Sequence, residues 1–215
     1  MTHALFALRR KLYISSLPTP LRLLHSSPSL PPSPSHRRYS QPPAYSSSLP
    51  MIQLDASCHC GRVAFSFASA APVPFMRCFC SICRKTAGGG GYAINIAGAS
   101  DSLVVHRGQD QIKNYRAVID KSKPDELAQN RYFCQNCASY LWAFSEAWPQ
   151  WIYPYASAID SQLEPPKAVT SIMVASAAHW ADARKGAADD VPNDVCDEYP
   201  SYSLEEWHKR NGELA

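Results

Sequence analysis

Short runs in which hydrophobic and polar residues alternate dominate the chain after residue 51. A period of two places every second side chain on one side of an extended backbone, and aromatic or β-branched residues there indicate half-buried strands. Prolines stand between several of these runs and favour turns or sheet edges. The pattern predicts a mostly β domain with antiparallel sheets. The candidate strands are RVAFSF (62–67), YAINIA (92–97), SLVVH (102–106), YLWAF (140–144), WIYPY (151–155) and AVTSIMV (168–174).

Helical patterning is confined to the C-terminal end of the chain. Ser203 is followed three residues later by Glu206, a spacing typical of a capping box, which predicts a short helix through Trp207 and Lys209. No internal repeat is visible, and no apolar run is long enough for a transmembrane helix. We therefore expect few short helices and no membrane partner.

The first 50 residues differ in composition from the rest. They contain 11 serines, nine prolines and six Arg or Lys residues, but no glycine and no acidic residue. Such a segment buries little apolar surface, so we expect a disordered leader at 1–50 and a folded domain at 51–215. The opening MTHALFALRRKLYISSL resembles an organellar transit peptide, with leucines opposite arginines on a helix. The alternatives are a plain disordered tail and an upstream extension ahead of a start at Met51.

The leader also bears on localisation and on the classes of partner. We expect an intracellular protein, mitochondrial if the leader is a genuine transit peptide and cytoplasmic otherwise. Residues 51–215 carry 15 basic and 18 acidic residues, a formal charge of −3. Because this domain is slightly acidic and lacks a dense basic stripe, nucleic-acid binding is not expected.

Cysteine usage is the most informative feature of the composition. Seven of the eight cysteines fall into tight groups, which in an intracellular protein usually bind metal because disulfides do not persist there. Core filling, disulfides and an iron–sulfur cluster remain as alternatives. Zinc is the metal that the spacings favour. The eight cysteines are at positions 58, 60, 78, 80, 83, 134, 137 and 196.

Two pairs of cysteines predict a closed zinc site. Cys58 and Cys60 are two apart, so on a strand both sulfurs point to the same side. Cys134 and Cys137 flank a two-residue turn in FCQNC. Together the pairs supply the four sulfurs of a structural tetrahedral zinc site. His59, between the first pair, would point away from this metal.

Cys78, Cys80 and Cys83 in MRCFCSICRKTAGGGG (76–91) combine both spacings and can reach a single ion. Three protein sulfurs leave the fourth tetrahedral position to an incoming ligand, which distinguishes a reactive zinc from a structural one. Three thiolates around Zn²⁺ carry a net charge near −1, which Arg84 and Lys85 would offset. These two cations can also hold a carboxylate of a ligand. The glycines at 88–91 permit a flexible loop at the site.

Three further residues are of a type that can bind a metal. His106 and His179 lie singly on apolar stretches, where a core role is more common, but either would close the three-cysteine site if it reached the metal. Cys196, in the acidic stretch NDVCDEYP, has no partner motif and is interpreted as a bystander.

CHCGRVAFSF, CFCSICRKTAG and FCQNC, in this order, resemble the glutathione-dependent formaldehyde-activating enzyme (GFA) family, which includes centromere protein V-like domains. The resemblance implies a small Mss4-like β fold whose two sheets are held by zinc. It places one zinc at Cys58, Cys60, Cys134 and Cys137. It places a second, catalytic zinc at Cys78, Cys80 and Cys83, where a glutathione-type thiol interacts.

The implied activity is that of a carbon–sulfur lyase, interconverting S-hydroxymethylglutathione with glutathione and formaldehyde. The alternative is a non-catalytic zinc module that binds a protein or a small thiol. One departure from the family is Ala138, where members commonly have glycine; because alanine visits positive φ less readily, we expect the turn after Cys137 to close differently. The sequence carries no signal for oligomeric state.

Overall fold

The computed structural model describes residues 50–87, 89–119, 122–123, 125, 127–185 and 190–215. The predicted leader, apart from Pro50, lies outside the described residues. Within them there are twelve strands and two α-helices. The strands are β1 (Ile52–Ser57), β2 (Ala64–Ser69), β3 (Met76–Cys78), β4 (Ala93–Ile94), β5 (Gly98–Ala99), β6 (Val104–Arg107), β7 (Ile112–Tyr115), β8 (Asn130–Cys134), β9 (Tyr140–Phe144), β10 (Trp151–Pro154), β11 (Val169–Ile172) and β12 (Asn193–Val195), and the helices are α1 (Ser81–Thr86) and α2 (Leu204–Asn211).

Two antiparallel sheets enclose the main hydrophobic core. One sheet has the strand order β1-β2-β6 and the other β5-β10-β9-β8-β7. Phe65 and Phe67 of β2 and Trp142 of β9 belong to one buried cluster, and the rings of Phe65 and Trp142 have centroids 4.9 Å apart. Alternation along β2 and β9 therefore directs their aromatic residues toward each other, as the period-two pattern predicts.

A third sheet has the strand order β12-β11-β3-β4. Its strand β11 pairs in parallel with both β3 and β12, whereas all other strand pairs of the three sheets are antiparallel. Pro72 and Pro74 separate β3 from β2, and because proline donates no backbone hydrogen bond, the chain leaves the first sheet there. The predicted class, a mostly β domain with antiparallel sheets and few short helices, is confirmed. The third sheet exceeds the two implied by the family resemblance.

The predicted C-terminal helix is present. The Ser203 hydroxyl accepts a hydrogen bond of 3.1 Å from the Glu206 N–H, which begins α2. Trp207 stacks on Phe75 with ring centroids 3.7 Å apart. His208 is 1% exposed, and its Nε2 accepts from the Val73 N–H at 3.0 Å. The helix is thus anchored to the segment that leads into β3. No helix of the described residues has the length and apolar character needed to cross a membrane.

Candidate metal centres

The three-cysteine cluster occupies the junction between β3 and α1. Cys78 ends β3, which is held between β4 and β11. Cys80 is the N-cap of α1, where its sulfur accepts a hydrogen bond of 3.3 Å from the Cys83 N–H. The extended residues 78–80 and the first helical turn therefore direct all three sulfurs to one place. The sulfurs of Cys78, Cys80 and Cys83 lie within 4.8 Å of one another.

Because the three thiols lie so close together, their pKa values differ from one another. Hydrogen bonds from Cys78 and Cys83 lower the pKa of Cys80 to about 2. Contacts with Cys80 and Cys83, together with burial, raise the pKa of Cys78. A contact with Cys78 lowers the pKa of Cys83, but the neighbouring Cys80 sulfur and burial raise it to about 11. The cluster alone therefore favours a single thiolate, and a bound divalent cation would ionise all three sulfurs.

The wall of this cluster comes from strands distant in sequence. Cys78 and Cys83 form a buried cluster with Tyr155, which follows β10. The Tyr155 ring meets Tyr140 of β9 edge-on, with centroids 5.6 Å apart. Arg131 of β8 is 6% exposed, and its terminal nitrogen lies 4.0 Å from the Cys83 sulfur. Sequence reasoning missed Arg131, Tyr140 and Tyr155, because no local motif indicates which strands face the cysteines.

The two basic residues after Cys83 lie on α1, as their position in the chain requires. Arg84 is half-buried and Lys85 is exposed. The Nε atom of Arg84 is buried and forms no hydrogen bond with any residue that the structure describes. Arg84 therefore has a buried donor that the described residues leave unsatisfied. Lys85 keeps its ammonium group accessible to solvent.

The four-cysteine cluster joins the first two sheets. Cys58 and Cys60 follow β1, whereas Cys134 ends β8 and Cys137 lies in the turn before β9. Cys60 lies 3.5 Å from Cys58 and 3.8 Å from Cys134, sulfur to sulfur. All four sulfurs lie within 4.8 Å of one another. The spacing-based prediction that these two pairs converge is confirmed.

Ser139 links the two turns that carry the four cysteines. Its hydroxyl accepts a hydrogen bond of 3.1 Å from the His59 N–H and lies 3.3 Å from the Cys137 sulfur. Burial raises the pKa of Cys137, but hydrogen bonds from Ser139 and the Cys60 backbone outweigh it and lower the pKa to about 5. Ala138 before it has φ 58°. The turn therefore adopts the left-handed conformation that glycine would supply, and the expectation that it closes differently is wrong.

The other ligand candidates lie apart from both clusters. His106 is on β6, where its Nε2 lies 2.8 Å from the Ser66 hydroxyl, and His179 lines a cavity of about 370 Å³ within 174–184. Cys196 packs against the three-cysteine cluster. Neither histidine, Cys196 nor His59 joins a metal-binding group, and within the described parts of the chain no other side chain supplies a fourth ligand to the three sulfurs.

The chemistry and spacing of the donors fit zinc at both clusters. Tetrahedral zinc binds thiolates at about 2.3 Å, which places neighbouring sulfurs about 3.8 Å apart. The four-cysteine cluster already shows separations of 3.5 and 3.8 Å. A soft, all-sulfur ligand set excludes magnesium and calcium, which prefer oxygen. Both clusters can therefore hold a metal ion of the zinc type.

Comparison with known proteins gives one family. The family model described as "Glutathione-dependent formaldehyde-activating enzyme" matches residues 53–176. A Halomonas elongata protein named "Putative glutathione-dependent formaldehyde-activating enzyme" is 47% identical over 160 residues, which cover 74% of this chain and 96% of that protein. A crystal structure of a Rhodobacter sphaeroides protein matches with a TM-score of 0.41 and 22% identity, over 51% of this chain and 90% of that chain. Both cysteine clusters lie inside the range matched by the family model.

Proposed function

Because the chain belongs to the glutathione-dependent formaldehyde-activating enzyme family, we propose that it is a zinc-dependent carbon–sulfur lyase. Its substrate would be a glutathione-type thiol–aldehyde adduct, S-hydroxymethylglutathione, interconverted with glutathione and formaldehyde. The observation that carries this proposal is the group of three sulfurs within 4.8 Å of one another, to which no fourth side chain of the described residues adds a ligand. Such a site can admit a substrate thiol.

The proposal places two zinc ions on each chain. Cys58, Cys60, Cys134 and Cys137 would hold a structural ion, and Cys78, Cys80 and Cys83 the second one. At the second cluster zinc would supply a Lewis acid and a position that binds a thiol as thiolate. The cysteines keep the three thiolates together, and the buried wall around Tyr155 excludes water from one side of the cluster.

The reaction itself needs one proton transfer and one bond cleavage. The hydroxyl of S-hydroxymethylglutathione loses its proton to solvent water, its oxygen forms the carbonyl of formaldehyde, and the carbon–sulfur bond breaks with its electron pair on sulfur. The sulfur leaves as the thiolate of glutathione. The reverse reaction takes the same atoms back. Because the leaving group is an anion, a site that stabilises thiolate lowers the barrier in both directions.

Arg84 and Lys85 would bind the carboxylates of glutathione. A guanidinium group pairs with a carboxylate through parallel hydrogen bonds, and half-buried Arg84 lies on the same helix as Cys83. Exposed Lys85 adds a second positive charge on the same helix. Both lie next to Cys83, so a tripeptide thiol held by its carboxylates would keep its sulfur near the cluster.

The competing interpretation, a non-catalytic zinc module, requires a side chain to close the second site. His106, hydrogen-bonded to Ser66 on the first sheet, and His179, in the wall of the cavity at 174–184, both lie outside the three-sulfur group. This placement favours the lyase. Intracellular localisation and the expected lack of a nucleic-acid partner remain predictions.

The proposal is tested by the rate at which the zinc-loaded protein cleaves S-hydroxymethylglutathione. We expect Cys80→Ser to reduce the rate by at least about a hundredfold, because it removes one of three metal ligands. Cys196→Ser is the matched control, since Cys196 packs beside the cluster without joining it, and its rate should stay near that of the wild type. Equal background rates for wild type and Cys80→Ser would reject the lyase.

X-ray absorption at the zinc edge separates the two interpretations independently of turnover. Addition of glutathione should contribute a new sulfur neighbour to the zinc of the wild type. An unchanged coordination shell would support the non-catalytic module instead.

A further inference from the structure

Arg131 is a buried cation that has no carboxylate partner among the described residues. Its side chain extends from β8 and is 6% exposed. One terminal nitrogen donates to the Gln129 carbonyl at 3.1 Å, and the other lies 4.0 Å from the Cys83 sulfur. Among the described residues no aspartate or glutamate forms an ion pair with it. The Nε atom is buried and has no hydrogen-bond partner in the part of the chain that the structure describes.

A buried guanidinium with this environment requires an anion. Removing an unpaired charge from water is costly, so charged side chains in protein interiors are paired. The sulfur cluster is a group beside Arg131 that ionises when it binds a metal, and its Cys83 sulfur lies 4.0 Å from a terminal nitrogen of the guanidinium.

The net charge of the metal-loaded cluster explains why a cation is needed beside it. Three thiolates and one Zn²⁺ carry −1, and a thiolate as fourth ligand would bring the total to −2. Two negative charges in a buried site are strongly unfavourable unless a cation lies beside them. Arg131 supplies this cation from within the wall, whereas Lys85 is exposed and screened by solvent.

We propose that Arg131 is a positioning residue that offsets the charge of the three-sulfur site, so that the site accepts a thiolate as its fourth ligand. The unpartnered Nε–H gives the guanidinium one more donor for the anion that enters. This inference rests on the proposed function, because it assumes a metal at Cys78, Cys80 and Cys83. It assigns to β8 a role in binding that no cysteine motif indicates.

The test uses the full chain with cobalt in place of zinc, because sulfur-to-cobalt absorption reports both metal and thiol binding. Cys80→Ser identifies the part of the spectrum that belongs to the three-sulfur site. The variant Arg131→Met removes the charge at similar volume, and Arg131→Lys keeps it. Arg116→Met is the matched control, since Arg116 pairs with Glu146 at the exposed end of the sheet.

We expect Arg131→Met to bind glutathione at cobalt about ten- to a hundredfold more weakly than the wild type, the size of a lost charge-assisted contact. Metal release to a chelator from the same site should be faster by a similar factor. Arg131→Lys, which keeps the charge but not the Nε–H donor, should bind glutathione more tightly than Arg131→Met, and Arg116→Met should not change the affinity. Equal glutathione affinity in wild type and a folded Arg131→Met would overturn the inference.

If circular dichroism shows that Arg131→Met does not fold, Arg131→Lys tests the role of the charge instead. A folded Arg131→Lys that has lost glutathione binding would contradict a role based on charge. The lyase assay is read separately. If the protein does not cleave S-hydroxymethylglutathione but its thiol binding depends on Arg131, the lyase proposal is rejected and this inference is kept. If the protein cleaves the substrate but its thiol binding does not depend on Arg131, the lyase proposal is kept and this inference is rejected.

Discussion

Ala138 lies in a conformation that alanine rarely adopts. Its φ of 58° places the Cβ atom close to the neighbouring carbonyl oxygen, which costs an L-residue about 1–2 kcal/mol. The Ala138 N–H still donates to the Cys134 carbonyl at 2.8 Å, and the position lies between Cys137 and Ser139. The convergence of the four sulfurs therefore stabilises a strained backbone residue.

We predict that Ala138→Gly raises the free energy of unfolding of the metal-loaded protein by about 1 kcal/mol, because glycine adopts positive φ without strain. Denaturant unfolding followed by circular dichroism measures this change. Ala99 has φ −74°, so Ala99→Gly serves as the control and should lower the stability by about 0.5–1 kcal/mol. Equal destabilisation by both substitutions would show that the strain at Ala138 is negligible.

Within the three-sulfur site, the residues that sequence reasoning identified are those that local geometry brings together. Cys78, Cys80 and Cys83 converge because a strand residue, an N-cap and a first-turn residue are neighbours in any chain with this spacing. Arg131 could not be found in this way. It faces Cys83 only because β8 of the five-stranded sheet packs beside the β3–α1 junction, which depends on tertiary contacts.

At the scale of elements, some alternating runs match a strand along their whole length, whereas others form a strand over only part of theirs. YLWAF (140–144) coincides with β9, whereas YAINIA (92–97) contributes only the two residues of β4. The parallel pairing of β11 with β3 and β12 could not be predicted, because alternation determines a strand but not its neighbours. The mostly β class follows from the alternation alone.

Helix α2 depends on a buried histidine that must remain neutral. His208 Nε2 accepts from the Val73 N–H, so its Nδ1 carries the proton and donates to the Leu204 carbonyl at 2.8 Å. Burial lowers the pKa of His208 below its ordinary value of 6.5. As the pH falls below 6.5, the unfolded chain therefore binds a proton that the folded chain does not.

We predict that this histidine makes the protein less stable in acid. The free energy of unfolding should fall by up to about 1.4 kcal/mol per pH unit between pH 6.5 and the lowered pKa of His208. Metal ligands also take up protons in this range, so the comparison is with His208→Gln, which should lack this part of the slope. His179→Gln is the control and should keep it. If the free energy of unfolding depended on pH with the same slope in the wild type and in His208→Gln, the prediction would be contradicted.

At the scale of the whole molecule, the two clusters differ in what they connect. The sulfurs of Cys60 and Cys134 are 3.8 Å apart although 74 positions separate them in the chain, and they join two sheets. Cys78, Cys80 and Cys83 lie within a single β3–α1 segment. Metal at the first cluster is thus part of tertiary structure, whereas metal at the second is held locally.

We predict two separable steps on treatment with a chelator. The ion at the three-sulfur site should leave first, with little change in near-ultraviolet circular dichroism. Loss of the second ion should unfold the domain, because structural zinc contributes about 10–16 kcal/mol against a typical stability of about 5–15 kcal/mol. Metal analysis of each fraction follows the steps. Release of both ions in one cooperative step, or an intact fold without any metal, would contradict this division.

The separation between ligands and wall has a consequence for how such a protein can change over time. The three sulfurs come from one short stretch of chain, whereas Arg131, Tyr140 and Tyr155 come from three other places in the sequence. Mutations in the wall can accumulate while the three metal-binding cysteines stay unchanged. Proteins descended from one gene can therefore bind new ligands and keep the same reaction chemistry. Differences in ligand specificity between such proteins should therefore appear as substitutions in β8, β9 and the end of β10 rather than at the cysteines.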